Sequence, residues 1–292
     1  MTCPFLKETQ VKYCRSASVR KLIPLAPAGR AEEKCSSEDF TSCPVYQKQP
    51  EEHAASRPCP HLCESLMQYC GAASVARFVP YSEALLSRCG NDSHRYCELY
   101  LAMAHPAQPA DEVDGIPQPG WLSYAANHMW LDVTDDGTCH AGIDAFFSRV
   151  LGDVERLSYV WQKGRHRPTA VLTVAGVDLE VVFPNAFELT NCNLYLRGNP
   201  ARIASEPYTG GWLFEGKPER ETSQNLLQGA HARRWMEREQ IRINEFLQQQ
   251  EYPGGRLAAD GGLFAPGVVR HLERDQRLAL FHEFFSPYAS GE

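Results

Sequence analysis

The 292-residue sequence has no long apolar run, and no window approaches the roughly 18 consecutive hydrophobic residues that a membrane-spanning helix needs. Its first residues, MTCPFLKETQVKYCRS, lack the apolar stretch and small-residue cleavage site of a signal peptide. The expectation is a cytoplasmic protein with no membrane contact. Positive charge is not in excess either. Lys and Arg number 29 against 36 Asp and Glu, for a net charge of −7 and a pI of about 5.8. The basic footprint of a general nucleic-acid binder is missing, so no nucleic-acid partner is expected. The one local exception is residues 1–34, with seven Lys/Arg against three Glu. Signatures of catalysis are equally scarce: there is no P-loop, no G-x-G-x-x-G after a strand, no H-E-x-x-H and no G-x-S-x-G. Glu237 and Glu239, among Arg233, Arg234 and Arg238, read as surface charge. These absences point to a binding protein rather than an enzyme, with an iron–sulfur enzyme left as an open alternative.

What the sequence has in abundance is cysteine. Nine of its eleven cysteines fall in the first 97 residues, and in a reducing compartment such crowding favours metal ligation over disulfides. Residues 1–46 and 59–100 read as two copies of one module. The first runs Cys3-Pro-Phe-Leu, Val-Lys-Tyr-Cys14, Ser18-Val19, Pro24, Cys35 and Cys43-Pro-Val-Tyr46; the second runs Cys59-Pro-His-Leu, Met-Gln-Tyr-Cys70, Ser74-Val75, Pro80, Cys89 and Cys97-Glu-Leu-Tyr100. Ten residues separate the first two cysteines of each copy and seven separate the last two. Matched spacing with matched neighbours implies duplication.

Four thiolates per copy, Cys3, Cys14, Cys35 and Cys43, then Cys59, Cys70, Cys89 and Cys97, match a tetrahedral zinc site or a four-iron four-sulfur cluster. No closely spaced ligand pair of the zinc-knuckle type is shared by both copies. Long spacers and the Cys-Pro steps favour two iron–sulfur clusters, with zinc as the alternative and inert thiols as the plain reading. Cys63 has no counterpart in the first copy; four residues after Cys59, it would share a helical face with that ligand, and it reads more simply as a buried thiol. His61 and His94 stand where the first copy has Phe5 and Phe40, which assigns them to packing.

The rest of the chain divides by pattern. Residues 101–120 read as a linker, unable to build a helix or a central strand. From 121 to 218 short β-type runs such as AVLTVAGVDLEVVF alternate with Gly, Pro and Asn, with one helical insert over 143–153. Residues 219–292 read as helical: one helix carries Ala230, Trp235, Ile241 or Ile243, Phe246 and Leu247 and ends at Pro253, and a second spans 268–285. DGGLFAPG (Asp260 to Gly267) reads as the loop between them. Cys139 and Cys192 read as structural.

Residues 121–218 carry a resemblance. His128-Met129-Trp130, Gly142-Ile143-Asp144-Ala145-Phe146, Leu151-Gly152-Asp153-Val154, Pro184, Asn193, Asn199-Pro200, Ser205-Glu206-Pro207-Tyr208 and Gly211-Trp212-Leu213 resemble the H-protein of the glycine cleavage system. The resemblance implies a lipoyl-carrier fold, a mostly β barrel-sandwich hybrid domain; with the flanking patterns, the chain is expected to be α+β, with small cysteine-rich helical modules before that domain and helices after it. It also implies recognition by a protein partner. The family's lipoyl lysine lies at a hairpin tip about eight residues before the proline matching Pro184, which is Gly176 here, and no lysine occurs between Lys163 and Lys217. Lipoate is therefore not expected. The reading is a metal-binding accessory or electron-transfer protein with a docking domain; the alternatives are a zinc-stabilised scaffold and a divergent protein of lipoate and glycine-cleavage metabolism.

Overall fold

Alternation of side chains decides the N-terminal elements. In LKETQVKYC, Glu8, Gln10 and Lys12 alternate with Thr9, Val11 and Tyr13, a period of two that suits a strand and would smear apolar residues around a helix. In the computed structural model this segment is strand β1 (Leu6–Cys14), paired antiparallel over its full length with β2 (Leu62–Cys70), the segment that the cysteine spacing sets against it. The structure describes residues 1–18, 23–24, 34–48, 58–75, 77–79, 88–104, 111–135, 137–162, 164–249 and 264–287. Segments 49–57 and 105–110 of the expected linkers, Val19, Pro80, Lys163 and residues 260–263 of the Asp260–Gly267 loop lie outside them.

The described chain divides into two compact units, Met1–His94 and Arg95–Glu292. The first is built on the β1–β2 ribbon, with short strands Ile23–Pro24 and Arg77–Val79 on its outer edges. Among the described residues of this unit, helical structure is confined to 3-10 turns and the single turn Pro44–Lys48, so a ribbon stands where helical modules are expected. The register runs from Leu6 opposite Cys70 to Cys14 opposite Leu62. Its central pair, Gln10 and Leu66, joins the two positions that the cysteine spacing makes equivalent. Cross-strand pairs tie the ribbon laterally: Gln68 Nε2 donates to Glu8 at 3.0 Å, and Lys12 faces Glu64 at 3.5 Å.

The second unit holds two antiparallel sheets. One comprises β5 (Arg156–Val160), β6 (Thr169–Val174) and β7 (Val177–Val182). The other has β3 (Met129–Val133), β4 (Cys139–Ile143), β9 (Phe214–Lys217) and β8 (Phe187–Cys192) side by side, extended by two-residue strands at each edge. Among the described residues these sheets do not close, so the expected barrel is instead a pair of open sheets. Alternation again sets the faces: Ala170, Leu172 and Val174 of β6 and Val177, Leu179 and Val181 of β7 are buried. The stretch read as the end of a linker folds into a small hairpin through Asp114-Gly115, both at positive φ, and buries Val113 and Ile116.

Helix α1 (Glu98–Ala104) opens this unit, and α2 (Ala145–Leu151) is the helical insert. The insert begins two residues later than the pattern suggests because Asp144 caps it, accepting from Phe147 N at 2.8 Å. Helix α3 (Gly229–Gln248) buries Ala232, Trp235, Met236, Ile243 and Leu247, leaving Ala230 and Ile241 outside. The last predicted helix is broken. A 3-10 turn, Val268–His271, is followed by α4 (Arg274–Phe285), because Glu273 starts a new helix with Gln276 in a reciprocal capping box. Both C-terminal helices pack on the sheet unit. Phe285 stacks on Phe147 of α2 at 3.8 Å, and the Arg242 guanidinium lies 4.1 Å over Phe284.

Candidate functional site

Two-residue turns at positive φ match the twist of a hairpin, and an Ala-Gly pair meets the demand at small steric cost. Between β6 and β7 the turn is Ala175-Gly176, at φ 48 and 74. A side chain built on Gly176 would meet nothing within 4 Å. Behind the tip, Arg277 of α4 gathers three carbonyls: its Nη1 donates to Ala175 O at 2.7 Å and its Nε to Leu272 O and Val269 O at 2.8 and 3.0 Å. The position at which the resemblance places a lipoyl lysine is thus a small, amine-free turn held from the C-terminal helix.

A buried charge cluster lies elsewhere in this unit, and sequence reasoning missed it. His128, at φ 60 and fully buried, has Nδ1 at 2.9 Å from Asp144 and Nε2 at 3.4 Å from Glu239. Its ring stacks on Phe146 at 4.1 Å and leans on Trp235 at 4.6 Å. Burial acts to depress the imidazole pKa, but Asp144 and then Glu239 outweigh it, so the pKa is raised and the cationic form favoured. Glu239 is only 3% exposed and also accepts from Arg242 at 2.7 Å, so it is a core group and not the surface charge the helix pattern suggests. A glutamate one turn from Trp235 on the apolar face was the available signal.

The cysteines are placed by the ribbon. Cys3, Cys59 and Cys70 are buried, and Cys14, Cys35, Cys43, Cys89 and Cys97 half-buried. Strand β1 separates Cys3, just before it, from Cys14 at its far end; eight residue steps of about 3.4 Å set ribbon ends about 27 Å apart. Main-chain bonds instead link the copies: Cys3 N donates to Cys89 O at 2.8 Å and Cys59 N to Cys35 O at 2.9 Å. Cys97 belongs to the second unit. Among the described residues, no three His, Cys, Asp or Glu side chains are gathered so as to enclose a metal ion. Cys63 is half-buried in β2 opposite Tyr13, so the helical face it was to share with Cys59 does not exist. The His61 ring lies 5.8 Å from that of Tyr46, and His94 Nδ1 lies 2.7 Å from Asn91 O. Burial pushes the Cys139 thiol up to about 12 and that of Cys192 up to about 11, which makes both poor ligands and nucleophiles.

No helix among the described residues is long and apolar enough to cross a membrane. The family model for the glycine cleavage H-protein matches residues 122–239, from the edge strand Ser123–Tyr124 through the first half of α3. A glycine cleavage system H protein of Chromobacterium violaceum is 32% identical over 117 residues, 39% of this chain and 91% of that protein. One from Neisseria gonorrhoeae is 33% identical over 103 residues, 34% of this chain and 77% of that protein. Among solved structures, a glycine cleavage system H protein from Mycobacterium marinum matches at 24% identity over 38% of this chain and 92% of its own, with a TM-score of 0.34. Because nearly the whole length of the Chromobacterium protein finds its counterpart here at 32% identity, the chain belongs to the glycine cleavage H-protein family.

Proposed function

We propose that this chain is a metal-binding accessory protein whose H-protein-like domain docks a protein partner without carrying a lipoyl arm. The observation that carries the reading is the β6–β7 tip. Lipoate is held in the family through an amide to a lysine amine on this hairpin, and Ala175-Gly176 supplies no amine. The residues present do not fit the group. Membership of the H-protein family supports docking, and in this reading the partner is a protein of lipoate or glycine-cleavage metabolism.

The eight repeat cysteines are the metal ligands in this reading, and their spacing favours iron–sulfur clusters. The length of the β1–β2 ribbon bears on what such clusters do. Sites at its two ends, about 27 Å apart, serve their own ends and not a direct relay between them. The same separation favours the second reading, zinc ions that staple each end. Iron, zinc and acid-labile sulfide are measured on protein purified without oxygen: brown protein with iron and sulfide in equal amounts supports clusters, colourless protein with zinc supports staples, and neither metal refutes both. For the docking domain, incubation with lipoate, ATP and a lipoyl ligase is expected to leave its mass unchanged while a lipoyl-bearing H-protein gains the group; a mass gain here would refute the armless reading.

A further inference from the structure

The ribbon pairs the two copies across a local two-fold, so whatever stands before β1 lies beside whatever follows β2. Three pairs of main-chain bonds repeat this relation. Cys3 N to Cys89 O corresponds to Cys59 N to Cys35 O, at 2.8 and 2.9 Å. Gly71 N to Phe5 O corresponds to Arg15 N to His61 O, at 2.8 and 2.9 Å. Leu6 N to Cys3 O corresponds to Leu62 N to Cys59 O, at 3.0 and 2.9 Å. At one end, therefore, Cys59 of the second copy meets Cys35 of the first, with Cys14 opposite Leu62, three residues on. The ring of His61 lies 5.8 Å from Tyr46, and Tyr46 lies 5.0 Å from Phe40, which brings the segment holding Cys43 to the same end. At the other end Cys3 of the first copy meets Cys89 and Cys70 of the second.

Resting on the metal-binding reading above, we infer that the two copies exchange ligands: Cys14, Cys35, Cys43 and Cys59 bind one metal centre, while Cys3, Cys70 and Cys89 serve the other. Grouping by copy is excluded by length. Cys3 and Cys14 bracket a nine-residue strand, and metal–sulfur bonds of about 2.3 Å cannot span it. In this proposal the exchanged thiolates gather on the metal only when it binds, as expected of sites that complete themselves on binding.

Double variants separate the two groupings because each pair of cysteines is shared differently. Metal content is read on the full chain, as iron plus zinc relative to wild type. Cys14→Ser with Cys59→Ser removes two ligands of one exchanged centre, so about half the metal is expected to remain. Cys3→Ser with Cys14→Ser damages both exchanged centres and is expected to leave background. The reverse pattern, half retained in the second variant and none in the first, overturns the exchange while sparing the metal-binding reading. A wild-type chain holding no metal overturns that reading itself. Should both variants lose all metal, the pairing is read in the metal-free wild-type chain with dibromobimane, a short thiol–thiol cross-linker, and peptide mapping. Cys59 joined to Cys14, Cys35 or Cys43 sustains the exchange, and Cys59 joined to Cys70 or Cys89, or to none, overturns it.

Discussion

Replacing Glu239 by alanine tests whether the second unit is held by a buried charge cluster. Glu239 is one of two anions on His128 and also holds Arg242, so its loss leaves a buried imidazole with Asp144 alone. Removing one member of a buried ionic group costs about 3–5 kcal/mol. Arg242 is a third exposed and recovers water, which places the expectation near the lower end, about 3 kcal/mol. Glu239→Gln keeps the volume and one hydrogen bond and is expected to cost less, about 1–2 kcal/mol. A pH signature accompanies the loss. The His128 pKa is raised on folding, so its contribution is complete below the usual imidazole value of about 6.5 and is lost as pH rises through the higher folded value. With Glu239 gone that folded value falls, so the decline still begins at about 6.5 but ends at lower pH and is smaller in total. All five tryptophans lie in the second unit, so urea unfolding followed by tryptophan fluorescence between pH 5 and pH 9 reports this unit alone. A loss under about 1 kcal/mol with an unchanged pH profile would show that the cluster is spectator charge.

The same fluorescence transition tests the packing of the C-terminal helices. Phe285→Ala deletes a fully buried ring stacked on Phe147 and is expected to cost about 3–5 kcal/mol; a cost under about 1 kcal/mol would mean that α4 is held mainly by other contacts. Gly152→Ala, at φ 66, would put a methyl 2.6 Å from the Gly267 Cα and is expected to destabilise by about 2–4 kcal/mol. Gly137→Ala has a similar φ of 77 but open space, and should cost only about 1 kcal/mol; equal losses would remove the close approach as the cause. Iodoacetamide at pH 8 should leave Cys139 and Cys192 unlabelled in the folded chain and label them in urea, since burial raises both thiols to about 12 and about 11. Prompt labelling of Cys139 in native protein would contradict its place in the central sheet.

What the sequence revealed, and what it hid, follows from the range of the interactions involved. AVLTVAGVDLEVVF declares a hairpin because alternation and a small turn are local properties, and β6, β7 and Ala175-Gly176 follow from them. Helix α3 was equally plain, yet Glu239 was not: a glutamate among arginines looks solvated unless its partner, 111 residues earlier, is known. The cysteine spacing was legible, but a spacing cannot say which copy a cysteine faces. That is decided by a strand pairing between residues 48 to 64 apart in sequence, with Gln10 and Leu66, 56 apart, at the centre of the ribbon. Expecting helices there also followed from treating each copy as self-contained, since a lone nine-residue strand has no partner for its backbone groups.

A strand paired with its own equivalent about a two-fold is the contact by which identical subunits form dimers. The N-terminal unit is thus organised as a homodimer written into a single chain, and neither half carries a complete inventory of partners. Its robustness follows from that. Residues on the two strands are constrained jointly, so a one-residue slip in β1 would turn every side chain of that strand to the wrong face at both ends of the ribbon at once. Either half expressed alone is expected to pair with a second molecule of itself, whereas in this chain the same contact is made within one polypeptide.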